Sequence, residues 1–359
     1  MDSLQITMGM LDLMARPAFC VKDGIVAGAN QDAQRFLIQP GTPVEVMLPE
    51  NAEEYHDFRE GCLYLTLQIL GQPLEASVTK NGEYEIFVLE QDADHAELLT
   101  MALAAQELRE PLANVMTVAD RLFPVIGSEA GVQDQVARIN RGLFQMLRII
   151  SNMSDAARYT QDLHQHQEIR DITVFFKEIF QKAGALIEQT DTQLRFRNLA
   201  ESVYTLVDAE KLERAVYNLL SNAMKFTPRG GIIEATLVRR GRKLYLTIQD
   251  SGSGVAAGIR GSLHERYRRQ PGLEDGRFGI GLGMVLIRAA ASSHGGTVLM
   301  EYPETGGTRI TMSLQIRQHG GGNLNSGVLR VDYAGDRDHV LMELSDALPA
   351  KLYHKDLIN

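Results

Sequence analysis

The chain has 359 residues, 44% of them hydrophobic, enough for more than one core, so two or three domains are expected. Its net charge of -10 excludes a broad basic surface for nucleic acid, whose phosphates need clustered Lys and Arg. The two cysteines, Cys20 and Cys62, are far apart and outside any CxxC pattern, which excludes a disulfide framework or a zinc cage and fits a reducing, cytoplasmic setting.

No run approaches the roughly 18 consecutive apolar residues of a spanning helix, and the chain opens on Asp2 instead of a basic stretch followed by an apolar one. No membrane insertion is expected. Near the N-terminus, apolar stretches Ala18 to Val21 and Gly24 to Ala27 flank Lys22-Asp23-Gly24, whose Asp-Gly pair signals a hairpin turn. Asn30 is placed to cap a helix over Gln31 to Leu37. Leu63 to Leu70, Leu74 to Thr79 and Tyr84 to Leu89, separated by Gly71-Gln72-Pro73 and Asn81-Gly82, read as antiparallel strands. The run "FCVKDGIVAGANQDAQRFL" followed by three strands is similar to a PAS domain, so 1–91 reads as a PAS-like sensor domain. A plain dimerisation or spacer module is the competing reading, since no His, Cys or aromatic cluster marks a cofactor.

Over 92–162 the period changes. Leu98, Met101, Leu103, Ala105, Leu108, Leu112, Val115, Met116 and Val118 recur at helical steps, Pro124, Gly127 and Gly131 interrupt, and Val136, Ile139, Leu143, Met146, Leu147, Ile150 and Met153 form a second stripe. Two such helices cannot bury both stripes alone, so a homodimer with a four-helix bundle is expected. Across 163–318, helix signals at Val174 to Leu186 and Asp208 to Met224 alternate with strand signals at Thr192 to Leu199, Ile232 to Val238, Lys243 to Gln249, Gly296 to Glu301 and Thr308 to Ile316. This predicts an α/β sandwich with helices on a mostly antiparallel sheet. The remainder, 319–359, reads as a flexible linker ("QHGGGNLNSG") and a tail of strand-then-helix pattern whose role is not legible. The whole is a multi-domain α+β chain.

Chemistry concentrates in the sandwich. Asn218, Asn222 and Lys225 fall at steps of four and three and share a helix face. An amide oxygen can join a magnesium ion that keeps most of its water and phosphate ligands, and the lysine adds charge for phosphates. The strand from Lys243 ends in Asp250-Ser251-Gly252-Ser253-Gly254, where the carboxylate can accept from an exocyclic amine and the glycines admit a planar ring. Gly279-Ile280-Gly281-Leu282-Gly283 opens an apolar helix, an anion-binding arrangement also common as a packing turn.

In order, "NLLSNAMKFTP", "DSGSGV", "HERYRR", "GIGLGMVLIR" and "GGT" at Gly306 to Thr308 resemble the histidine kinase and gyrase type ATPase superfamily over Glu168 to Ile316. The resemblance implies a GHKL (Bergerat) fold that binds ATP and Mg2+. It places adenine at Asp250 with Gly252, Gly254 and Thr308, the metal at Asn222, and phosphates near Lys225 and the glycines 279, 281 and 283, under a lid over 254–277. Members that hydrolyse ATP carry a glutamate where this chain has Asn218; an amide cannot take a proton from water, which favours transfer over hydrolysis.

Upstream, "AAQELREPLANV" resembles the phosphoacceptor box of sensor histidine kinases of two-component systems, aligned on Glu107, Leu108, Arg109, Pro111 and Leu112. The family's histidine position is Gln106, which has no nucleophilic imidazole and forms no phosphoramidate by the usual route. Glu110 stands where the family has Thr or Asn to position water for dephosphorylating its partner, and Glu107, the proton acceptor of active members, has nothing to activate. The resemblance implies a homodimer, a response regulator as partner, and a histidine kinase or an ATP-binding pseudokinase that acts by binding. A serine kinase of the anti-sigma type would use the same ATP fold, but the near-complete box argues against it.

Overall fold

The computed structural model describes residues 3–90, 92–123, 130–161, 167–254, 281–317 and 338–354. Helix α1 (Ser3–Asp12) precedes the hairpin of β1 (Ala18–Lys22) and β2 (Ile25–Ala29). At its turn Asp23 and Gly24 take φ of 51° and 76°, the left-handed pair that matches strand twist. Asn30 caps α2 (Gln31–Gln34), its Oδ1 accepting from Ala33 N at 2.9 Å. This helix is one turn long, shorter than expected, because Leu37 turns the chain left-handed at φ 58°. Helix α3 (Ala52–Asp57), β3 (Cys62–Ile69), β4 (Gln72–Asn81) and β5 (Tyr84–Leu89) complete the unit. Its antiparallel order is β2-β1-β5-β4-β3, with Phe19, Val21, Leu65, Val78 and Phe87 in one core.

Helices α4 (Asp92–Leu122) and α5 (Ala130–Gln161) form the hairpin. Pro111 lies inside α4 without ending it, and Gly131 lies within α5 instead of in the connection. The predicted α4 stripe divides in two. Leu98, Ala105, Leu112 and Met116 are buried, whereas Leu103, Leu108, Val115 and Val118 are at least half exposed.

The sandwich contains β6 (Gln167–Asp171), α6 (Ile172–Ile187), β7 (Gln193–Asn198), β8 (Tyr204–Asp208), α7 (Ala209–Phe226), β9 (Ile232–Arg240), β10 (Lys243–Asp250), α8 (Leu282–Ser293), β11 (Val298–Glu301) and β12 (Arg309–Gln315). β6 and β8, not foreseen from the sequence, pair as a separate ribbon; β7 joins β9 in parallel and the other pairs are antiparallel. The sheet does not stop at the sandwich. β11 pairs with β3, placing Tyr64 opposite Val298 and Cys62 opposite Met300, so both units share one ten-stranded sheet. The units expected over 1–91 and 163–318 therefore share strands of one sheet. Polar contacts reinforce this seam. Lys243 Nζ reaches both Glu54 carboxylate oxygens at 2.7 and 2.6 Å, and Arg288 pairs with Glu75 at 3.0 Å and with Glu90.

The tail is structured where it is described. Helix α9 (His339–Glu343), capped by Asp338, and a 3-10 turn at Ala350–Tyr353 bury Val340, Leu341, Met342, Leu344, Leu348, Leu352 and Tyr353 in the core that also holds Phe176 and Tyr217. Burial of that apolar surface drives the packing. The segment expected to be a linker, and the strand-patterned part of the tail, lie outside the described residues. Among those described, no helix is long and apolar enough to cross a membrane.

Candidate nucleotide-binding site

Helix α7 is the common wall. Asp208 caps it, accepting from Lys211 N at 3.1 Å, and a buried apolar face that includes Leu212, Val216, Leu219 and Leu220 fixes its rotation. That rotation separates the fates of the three site residues. Asn218 is buried and fully engaged: its Nδ2 donates to Arg214 O at 2.9 Å and its Oδ1 accepts from Arg148 Nη2 of α5 at 3.0 Å. Asn222, one turn on, is half-buried and has no hydrogen-bond partner among the described residues. Lys225 Nζ donates to Asp346 Oδ2 of the tail at 2.9 Å.

Two glycine-bearing segments meet this wall. Asp250 is buried at the end of β10, its Oδ1 accepting from Gly252 N at 2.8 Å and its Oδ2 from Thr308 N at 3.1 Å. Burial pushes its carboxyl above the usual carboxylate range, against the pull of those two donors. A Cβ on Gly252 would lie 2.3 Å from Phe226 O, so the strand-end loop abuts the residue after Lys225. Gly254 follows in the same loop, against Gly307. At the other end Gly281 is the N-cap of α8, and a Cβ on Gly283 would lie 2.9 Å from Asn218 Oδ1, so α8 can approach α7 this closely only with glycine there. Gly279 and the expected lid lie outside the described residues.

The acceptor-box residues Gln106, Glu107 and Glu110 are exposed on α4. Arg109 donates to Ser154 Oγ of α5 at 3.2 Å. The glycine helix packs nearby: Leu282, Val285, Leu286 and Ala289 form one cluster with Leu98, Ala156, Ala157 and Tyr159, against which Met101 and Ala102 also pack. Ala102 is one turn before Gln106, about 6 Å along the axis.

Sequence reasoning missed Arg148, Glu343 and Asp346. Arg148 Nη1 pairs with Asp346 Oδ2 at 2.6 Å and donates to Ser221 Oγ at 3.1 Å, and Glu343 lies between Arg214 and Arg148 at 3.2 and 3.8 Å. The available signal was an arginine set within the apolar stripe of α5, beside Leu147. Nothing pointed to the tail carboxylates. Burial raises the Asp346 carboxyl, but Arg148 and Lys225 outweigh it and hold the group below the usual range. Burial, together with Arg148, holds Lys225 below the usual lysine range despite Asp346.

A carboxyl lowered by folding stabilises its contacts at pH values above its unfolded range, and that contribution is lost as pH falls through the lowered value. Docking of 338–354 should therefore persist at neutral pH and loosen only below about pH 4. Amide exchange of residues 340–344 against pH checks this; loosening already at pH 6 would contradict it.

Residues 207–318 match the family described as histidine kinase-, DNA gyrase B-, and HSP90-like ATPase. The chain is 24% identical over 259 residues to hybrid signal transduction histidine kinase D of Dictyostelium discoideum, covering 70% of this chain and 17% of that protein. It is 28% identical over 264 residues to histidine protein kinase DivJ of Caulobacter vibrioides, covering 69% of this chain and 43% of that protein. Its similarity is to the sensor histidine kinases. It carries their GHKL ATPase domain, and it spans less than half the length of these curated relatives. In fold, the chain is similar to full-length ShkA in complex with AMPPNP, with a TM-score of 0.50 at 19% identity over 62% of this chain and 46% of that one.

Proposed function

We propose that this chain is a two-component signalling protein that binds ATP with magnesium on its ATPase domain and forms no phosphohistidine at position 106. The observation that carries the ATP site is α7 itself, which presents the uncommitted Asn222 between the Asp250 loop and the N-terminus of α8. Asn222 would hold the metal, Asp250 with Gly252, Gly254 and Thr308 would hold the adenine, and Lys225 with Gly281 and Gly283 would face the phosphates. The residues present fit the group: an uncommitted amide, a buried carboxylate and a glycine-opened helix stand on one wall. Bound there, ATP with magnesium supplies a transferable phosphoryl group. Asn218 cannot serve as a base for water, and both ends of its amide are engaged by Arg214 and Arg148.

The exposed apolar residues of α4 (Leu103, Leu108, Val115, Val118, Leu122) and α5 (Ile139, Met146, Ile149) support a homodimeric bundle. The five-stranded unit with α2 and α3 on its core face supports a PAS-like sensor over 1–91. On this reading the protein acts in the cytoplasm by binding a response regulator or a partner kinase, and Glu110 leaves the partner's phosphate intact. Phosphoryl transfer to another acceptor is the second reading, favoured by the engaged Asn218, which keeps ATP from hydrolysis.

Incubation with γ-labelled ATP and magnesium under conditions that preserve acid-labile phosphate tests this. Wild type should bind ATP and take no label, Gln106→His should gain label, and Asn222→Ala should lose at least about tenfold in ATP affinity. Label on wild type that disappears in Asn222→Ala would establish the second reading instead.

A further inference from the structure

Arg148, Arg214 and Lys225 bring three cations from two elements to one side of α7. Arg148 and Arg214 are almost fully buried, at 3% and 2% exposure. Among the described residues, the carboxylates that face them are Asp155 of α5, 3.0 Å from Arg214, Glu210 of α7, which also acts on Arg214, and two from the C-terminal segment, Glu343 and Asp346. Without the segment, Arg148 and Lys225 would lose every ion pair described for them. A cluster of that sign, with the Lys225 ammonium and Nη1 of Arg148 converging on a single oxygen, is suited to an oxyanion. Asp346 Oδ2 fills that position now, at 2.6 Å from Arg148 and 2.9 Å from Lys225.

We propose that Arg148 and Lys225 form an oxyanion subsite of the nucleotide site, and that Asp346 is its internal ligand, so that the C-terminal segment and the nucleotide phosphates bind in competition. This rests on the ATP reading above. The helical hairpin thereby contributes a binding residue to the ATPase domain, and the segment 338–354 holds the site closed. Two observations place the competition at Asp346, and a third eases release of the segment. Its side chain is 26% exposed, whereas Glu343 beside it is fully buried. The apolar anchors Leu341, Leu348 and Tyr353 sit in the core, and Tyr353 Oη donates to Leu341 O at 2.7 Å to brace the segment. The docked state also carries a cost, because neither Glu343 carboxylate oxygen completes a hydrogen bond among the described residues despite the arginines around it.

The test is calorimetric titration of the full chain with ATP and magnesium, comparing wild type, Asp346→Asn and Arg148→Lys, with thermal melting of each to establish that it is folded. Asp346→Asn should bind ATP about tenfold more tightly than wild type, and Arg148→Lys should bind it several-fold more weakly than the Asp346→Asn variant. In wild type, saturating ATP should speed amide exchange across 338–346. Equal affinities for wild type and Asp346→Asn, with exchange unchanged by ATP, overturn the competition and leave the ATP site standing. No binding by any folded variant overturns the ATP reading and the competition with it. Should Asp346→Asn melt far below wild type, the exchange measurement on wild type alone decides.

Discussion

Gly307→Ala should abolish ATP binding and lower stability by more than about 3 kcal/mol. The added Cβ would lie 1.9 Å from Asp250 O, a distance no contact tolerates, at a φ of 79° that already disfavours alanine. Asp250 cannot move aside. Its N–H donates to Thr308 O at 3.0 Å and its Oδ2 accepts from Thr308 N at 3.1 Å, so the backbone that would have to yield is the one that presents the proposed adenine carboxylate. Gly306→Ala is the natural control. Its φ is 91°, but the nearest atom to a new Cβ is Gly252 O at 3.4 Å, so only the conformational penalty of about 1–2 kcal/mol is expected. Denaturant melts and ATP titration of the two variants separate the effects. Similar losses in both would mean that backbone conformation, and not the approach to Asp250, sets the requirement for glycine.

The contrast between these two glycines illustrates what a sequence discloses. "GGT" was legible as part of a motif order, but which glycine touches Asp250 is a three-dimensional fact. Local signals carried well: the Asp23-Gly24 turn, the Asn30 cap, and the steps of four and three that set Asn218, Asn222 and Lys225 on one helix. Each depends on residues within a turn or two of one another. Most of the failures are non-local. The pairing of β3 with β11 joins residues more than two hundred positions apart, and nothing in either strand's alternation specifies a partner. β6 and β8 went unseen because β6 is mostly polar and half-buried throughout, and β8 buries Thr205, Val207 and Asp208 while exposing Tyr204, so neither shows a clean apolar alternation. The α4 stripe was read as one face, but an apolar residue facing a partner helix and one left exposed look alike in a list of leucines and valines. The tail was illegible for a different reason: Glu343 and Asp346 are ordinary acids until Arg148, Arg214 and Lys225 are placed around them.

The seam between the two sheet halves should prove as sensitive as the site. Lys243→Met is expected to destabilise the protein by about 3–5 kcal/mol, because it leaves Glu54 charged and buried. Lys243 and Glu54 are 6% and 7% exposed, and besides the two contacts to the lysine, Glu54 accepts only from Ser313 Oγ at 2.9 Å among the bonds described. Lys243 also donates to Glu50 O at 2.8 Å. Removing both charges together, as Lys243→Met with Glu54→Met, should recover most of the loss, since a well-packed apolar pair at such a position is often neutral. The consequence reaches the nucleotide end along a single element. β10 begins at Lys243 and ends at Asp250, a span of roughly 24 Å. If the seam holds the strand in register, Lys243→Met should weaken ATP binding as well as stability, and the double variant should restore both. Calorimetric melting and ATP titration of the three proteins decide this. A single variant that melts in two steps with ATP affinity unchanged would mean that the N-terminal unit detaches while the ATPase domain stands without it, and that strand β10 passes nothing from the seam to the site.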